Sequence, residues 1–170
     1  MAIPTYEELM RPILEQCSDG KTYSLKDTVN NMAMYFSLTD EEIDSTLPSG
    51  QQTYLHNRVS WAISYLFKAK LLVRPKRAHI KITDRGISEL ENNSGQLSKE
   101  KLQKYDEFVS FLNKEKPKTK TPLESIVQRD EESTPDEQIE ISYQELHESL
   151  VGEIQDAVAS TDPANFEQLV

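Results

Sequence analysis

The side chains best suited to catalysis are few and poorly spaced. Three histidines, His56, His79 and His147, have no spacing that would close around a metal ion. Cys17, the single cysteine, falls on an apolar helix face, where a thiol packs rather than reacts. The only acid-x-Lys sequence, Asp19-Gly20-Lys21, lies in a turn after a helix. An acid-x-Lys pair that holds a metal and activates water needs a strand beneath it. No glycine-rich phosphate loop is present. The chain therefore offers no catalytic residue, no metal site and no cofactor of its own.

Hydrogen-bonding and cationic side chains are better placed. Gln51, Gln52, Thr53, Asn57, Ser60 and Ser64 punctuate one helical segment, and Lys68, Arg74, Lys76, Arg77 and Lys81 follow closely. Asparagine pairs bidentately with adenine, and a helix start is where side chains reach base edges. The five cations are expected on phosphates, giving affinity but little sequence information. Arg58 sits at the flank, where it can serve a phosphate or pair with an acid of the first helices. Gln52 projects near the apolar side and is expected to be partly buried. Trp61 is expected to pack on the hairpin as core rather than to stack on nucleic acid.

The distribution of charge supports this emphasis. The chain has 170 residues with a net charge of −10 and 36% hydrophobic residues, and its mean hydropathy is −0.63. A uniformly acidic protein of that kind would repel nucleic acid. Residues 51–88, however, carry eight bases and one acid, net +7, between residues 1–50 at net −6 and residues 123–170 at net −12. A basic block inside an acidic chain is the footprint of a phosphate-contacting surface. The longest apolar runs are too short to span a membrane. The N-terminus lacks the basic and apolar regions of a signal peptide, and a cytoplasmic location follows as the expectation.

The positioning elements read in order. Thr5-x-x-Glu8 is a capping box before an apolar stripe of Tyr6, Leu9, Met10, Ile13, Leu14 and Cys17. Pro12 within it should kink the helix or limit its first turns. Lys21-Thr22-Tyr23 is extended, and Ser24 caps a second helix. Thr39-x-x-Glu42 opens a short helix around 40–46. Residues 51–69 form a long helix with Leu55, Val59, Ala62, Ile63, Leu66 and Ala69 inward and Thr53, Asn57, Ser60, Ser64 and Lys68 outward. Leu71–Arg74 and Ala78–Thr83 read as two strands joined at Pro75-Lys76-Arg77. Thr83 caps a helix to about Leu90, and Ser98 opens one further helix through Leu112.

Helices followed by a two-stranded basic hairpin make a mainly α winged helix-turn-helix, with extra helices and a linker behind it. Residues 1–113 are read as the winged-helix domain and 114–133 as a polar linker with two prolines. Residues 134–170 are read as an acidic helical segment. The basic block covers the long helix and the hairpin, the two elements such a fold offers to double-stranded DNA.

The sequence also resembles a known family. Ile3-Pro-Thr-Tyr-Glu-Glu-Leu-Met10, Leu47-Pro-Ser-Gly-Gln51, Asn57-Arg-Val-Ser-Trp-Ala62, Tyr65-Leu66, Lys68-Ala-Lys-Leu-Leu72 and Ile82-Thr-Asp-Arg-Gly86 resemble the N-terminal domain of Mrr-type restriction endonucleases in order and spacing. The likeness runs from about residue 3 to 112. The resemblance implies a reader of DNA carrying methylated bases, joined to a metal-dependent PD-(D/E)xK nuclease domain that would use Mg2+. Two departures stand out. The family usually has glycine where Lys70 stands, closing the long helix, and often has Arg-Gly where Arg77-Ala78 forms the wing tip.

At the back end, Thr134-Pro135-Asp136-Glu137 stacks a cap, a first-turn proline and a capping-box Glu. Ile139, Tyr143, Leu146, Leu150 and Ile154 then form a stripe needing an apolar partner: the missing domain, or a second copy paired through 134–159. Asp162-Pro163 and Phe166–Val170 resemble the first helix of the Mrr catalytic domain and stop in mid-pattern, as the front part of a longer protein would. The rival expectations are a winged-helix regulator without methylation dependence and a protein-interaction module working through the acidic tail.

Overall fold

The structure, a computed structural model, describes residues 3–115 and 133–160. Helix α1 (Tyr6–Gln16) starts at the expected box: Thr5 Oγ1 accepts from the Glu8 amide, and Glu8 accepts from the Thr5 amide at 2.7 Å. It runs through Pro12 to Gln16. Pro12 is buried within it. A 3-10 turn (Cys17–Asp19) and Gly20, at φ +76°, lead into strand β1 (Tyr23–Ser24). Ser24 caps helix α2 (Leu25–Tyr35), and Thr39 caps the five-residue α3 (Asp40–Asp44).

The long helix α4 (Tyr54–Lys68) begins later than the pattern suggested. Thr53 is its cap, accepting from the His56 amide at 3.2 Å. Gln51 and Gln52 lie in the preceding turn, closed by Leu47 N to Gln52 O at 2.9 Å and Gly50 N to Leu47 O at 2.8 Å. That turn is anchored by Leu47, only 2% exposed.

Strands β2 (Leu72–Val73) and β3 (His79–Ile82) pair antiparallel with Leu72 opposite Ile82. The extended piece at Tyr23 joins them, with Tyr23 opposite Ile80, so the expected two-stranded hairpin is part of a three-stranded sheet ordered β1-β3-β2. Helix α5 (Asp84–Asn92) follows, capped by Thr83. The single helix expected from Ser98 is two: α6 (Lys99–Leu102) and α7 (Asp106–Glu115). Leu102 and Phe108 are both fully buried. One continuous helix would separate them by about 120° around its axis, so the break lets both face the core. The core joins α1, α2, α4, the sheet and these two residues. The last described element is α8 (Pro135–Ser160). The expected linker at 114–133 falls almost entirely, and the Asp162–Val170 helix wholly, outside the described residues.

Both departures from the family pattern are answered by the backbone. Lys70 has φ +62° and Ala78 φ +58°. Each holds the left-handed conformation that glycine adopts freely, at a cost of about 1 kcal/mol for an L side chain. At Lys70 the helix closes fully, with Leu71 N to Leu66 O at 2.9 Å and Lys70 N to Phe67 O at 3.0 Å. That is the paired closure usually built on glycine.

Candidate nucleic-acid interface

The apolar stripe of α4 fixes which way its polar side chains point. Leu55, Val59, Ala62 and Leu66 are fully buried, and Tyr65, not marked by the sequence pattern, is buried with them at 2%. The opposite side splits into two unlike halves.

Toward its C-terminus the outer face is open. Ser60, Ser64 and the wing residues Arg74, Lys76, Arg77 and His79 line a groove of about 520 Å3 between α4 and the sheet. Arg74 donates to Ser64 Oγ at 3.3 Å and lies 4.6 Å over the Phe67 ring, so its stem is held while the residue stays exposed. Lys76, Arg77 and Lys81 are exposed around the tip and edge of the wing. Lys68 is exposed at the helix end, with its ammonium 5.1 Å over the Phe111 ring. Arg85, another cation of the basic block, is structural: it donates to the Ala69 carbonyl and to Glu107, both at 3.1 Å. The structure thus brings Ser64, Arg74, Lys76 and Arg77 together on one groove, with Lys68 and Lys81 beyond it.

Toward its N-terminus the outer face is covered. Asn57, expected on the solvent side, is 1% exposed. Its Nδ2 donates to Asp136 Oδ2 at 2.9 Å and to Gln52 Oε1 at 3.1 Å, and its Oδ1 accepts from the Thr134 hydroxyl. Asp136 Oδ2 also accepts from the Trp61 indole at 3.0 Å. Arg58 forks onto Glu137 at 2.7 and 3.1 Å and donates to the Ile3 carbonyl at 2.8 Å. The acid that takes Arg58 is therefore on α8, not on the first helices. Trp61 packs partly buried against the core, as expected, 5.6 Å from Tyr65, and its indole donates to Asp136 of α8. Gln52 is half-buried, as expected, and also meets His56 Nδ1. Thr53 is occupied as the helix cap, and Gln51 is exposed. The start signals at Thr134–Glu137 mark a helix N-terminus correctly, and Glu137 N bonds Thr134 Oγ1 at 3.2 Å. Nothing in those four residues says that they dock on α4.

The remaining chemistry is structural. Asp19 accepts from the Lys21 amide at 2.9 Å and from the Tyr23 hydroxyl at 2.7 Å. The Tyr23 bond, then the Lys21 amide, hold its carboxyl below the usual range. It closes the 3-10 turn before β1 and does not lie on a strand. Among the described residues no group of three or more His, Cys, Asp or Glu is placed to hold a metal ion. Burial, then the nearby Asp19 charge, push the Cys17 thiol up to about 12, which makes it inert. Sequence reasoning missed a buried carboxylate, Glu89, 4% exposed. Burial raises its pKa, but bonds from Lys104 at 2.6 Å and from the Tyr105 hydroxyl outweigh that, and it stays below the usual carboxylate range. No periodicity marked it, because its partners lie beyond a turn, on the segment between α6 and α7. Among the described residues no helix is long and apolar enough to cross a membrane.

A family model described as the Mrr N-terminal domain matches residues 6–92. That span covers α1 to α5, the whole sheet and both halves of the α4 face. No curated protein and no solved structure matches the chain.

Proposed function

The chain belongs to the family of Mrr N-terminal domains, and on that premise we propose that it reads double-stranded DNA as the recognition part of an Mrr-like restriction protein acting on methylated foreign DNA. The observation that carries this reading is the open groove between α4 and the wing. Two hydroxyls of the helix face two guanidinium groups and an ammonium of the wing across it. A winged helix approaches a duplex in that way, helix toward the major groove and wing cations on the backbone. Lys68, Arg74, Lys76, Arg77 and Lys81 are assigned to phosphates. Gln51, Gln52, Thr53, Asn57, Arg58 and Ser64 are assigned to bases and the adjoining strand, with Asn57 and Arg58 reached only once the start of α8 leaves them. In this reading cleavage, with its Mg2+, belongs to a nuclease domain outside these 170 residues, and the protein works in the cytoplasm.

The test is fluorescence anisotropy of the full chain on two duplexes identical except for methylated adenine and cytosine in one, across a salt series. Affinity should fall steeply with salt and favour the methylated duplex. Equal affinity would remove methylation reading and leave a winged-helix DNA anchor or regulator. No binding at low salt would remove the DNA reading altogether.

A second reading rests on α8. Ile139, Tyr143, Leu146, Leu150 and Ile154 are each more than half exposed. An apolar stripe left in solvent favours a protein partner, and a second copy of α8 is the occupant proposed. Sedimentation of the full chain against a Leu146→Lys/Leu150→Lys variant tests it, and a monomer at high concentration in the parent chain would end it.

A further inference from the structure

Resting on the DNA reading above, we propose that the start of α8 is a built-in competitor for the front of α4. Thr134, Asp136 and Glu137 occupy Asn57, Arg58 and Trp61, and DNA gains that part of the helix only by displacing them.

The contacts have the chemistry of the ligand they exclude. Asp136 Oδ2 accepts at once from the Asn57 amide and the Trp61 indole. Glu137 takes Arg58 in the two-bond fork that a guanidinium also makes with phosphate. Glu140 accepts from the Ser49 amide at 3.0 Å, in the turn just before the helix. Carboxylate oxygens thus stand where phosphate or base acceptors would come. The charge is complementary over a longer range. Residues 134–160 hold seven acids and no lysine or arginine, against the net +7 of residues 51–88.

The docking is local, which makes it reversible. Thr134 and Glu137 are buried at 0% and 1%, yet the hydrophobic core includes no residue of α8. Beyond its first turns the helix exposes both its apolar and its acidic residues. Releasing it removes no residue from the winged-helix core. A buried ion pair gains little net stability, because desolvation opposes attraction. A polyanion that engages several wing cations together is therefore a strong enough rival. Masking lowers apparent affinity by the fraction of molecules in which the face is free.

The chain supplies its own reporter, because Trp61 is the single tryptophan. In the full chain, Asp136→Asn/Glu137→Gln should bind a duplex about tenfold tighter or more. Its Trp61 emission should shift to the red and become open to acrylamide. Adding duplex to the parent chain should produce the same Trp61 change. Thr134→Arg, which sets a cation where a buried hydroxyl meets Asn57, should reproduce both effects. Glu145→Gln/Glu153→Gln, with the same charge change on the exposed part of α8, should do neither. Release of Trp61 with unchanged, still salt-dependent affinity would overturn the masking and leave the DNA reading intact. A Trp61 that stays protected in the double variant would overturn it as well. Equal tightening by the Glu145/Glu153 control would reduce the effect to bulk charge and overturn it again. Loss of binding by parent and variants alike at low salt would overturn the DNA reading itself.

Discussion

The two halves of the α4 outer face are built from the same kind of sequence and end in opposite states. Asn57, Arg58 and Trp61 are closed over by Thr134, Asp136 and Glu137. One turn further on, Ser64 and Lys68 face the wing with Arg74, Lys76 and Arg77 around an open groove. Helical spacing alone puts Asn57 on the solvent side together with Ser60, Ser64 and Lys68. The difference comes from a segment about 80 residues away in the chain, whose Glu137 takes Arg58 while its Asp136 takes the neutral Asn57 amide and Trp61 indole. A polar outer stripe therefore says that a face is not core; it does not say that the face is free.

The largest expected effect tests the open half. Lys76→Ala/Arg77→Ala/Lys81→Ala removes three exposed cations. Duplex affinity should fall by about a hundredfold at low salt, and the salt slope should shrink by about 0.9 for each phosphate left without its cation. Trp61 fluorescence should not change, because the covered half keeps its partners. A parallel change in Trp61 would show that the two halves are not independent.

The next effect strikes the base of the wing. A Cβ on Gly86 would come within 2.4 Å of the Leu71 carbonyl oxygen and 2.7 Å of Ile82 Cγ1. Gly86→Ala should therefore cost about 2–3 kcal/mol, seen as a lower urea midpoint. If it is tolerated at no cost, the α5–β2 junction is looser than that approach implies.

Glu89 provides a control away from both halves. Its folded-state pKa lies below the ordinary 4.5, with burial opposing and the Lys104 and Tyr105 bonds prevailing. A lowered folded pKa stabilises the protein above the unfolded value, and that contribution is lost as pH falls through the folded one. Glu89→Gln should cost about 1–2 kcal/mol at neutral pH. The gap from the parent chain should narrow on acidification below about pH 4.5. Chemical denaturation across pH measures this, and a constant gap would place the stabilisation in packing rather than in charge.

The smallest effect has the opposite sign. Lys70→Gly and Ala78→Gly remove left-handed strain at the two ends of the open half. Each should raise stability by at most about 0.5 kcal/mol after the extra entropy of glycine. A rise in duplex affinity with Ala78→Gly would add that the tip conformation limits wing contact.

Much of the frame is legible from local patterns. Thr5, Ser24, Thr39, Thr83 and Ser98 each announce a cap, and each accepts from the amide three residues on. The inward residues of α1 and α4 follow the 3.6-residue period into the core. The glycine departures at Lys70 and Ala78 mark the two backbone positions where φ is positive in and around the wing. The site was half legible. Lys68, Arg74, Lys76, Arg77 and Lys81 are exposed where the pattern placed them. Asn57 and Arg58 are not, because burial by a distant segment leaves no mark on neighbouring residues. Glu89 escaped notice for the same reason.

The division follows the range of the forces involved. Capping, amphipathic period and charge density act over a few residues, so the amino-acid order by itself determined the helices, the basic wing and the apolar face of α4. Pairing of β1 with β3, the break between α6 and α7, and the docking of Asp136 and Glu137 on Asn57, Arg58 and Trp61 join residues tens of positions apart. Closing such loops is decided by which buried donors and acceptors can satisfy one another once the chain has packed, and only the tertiary structure holds that information.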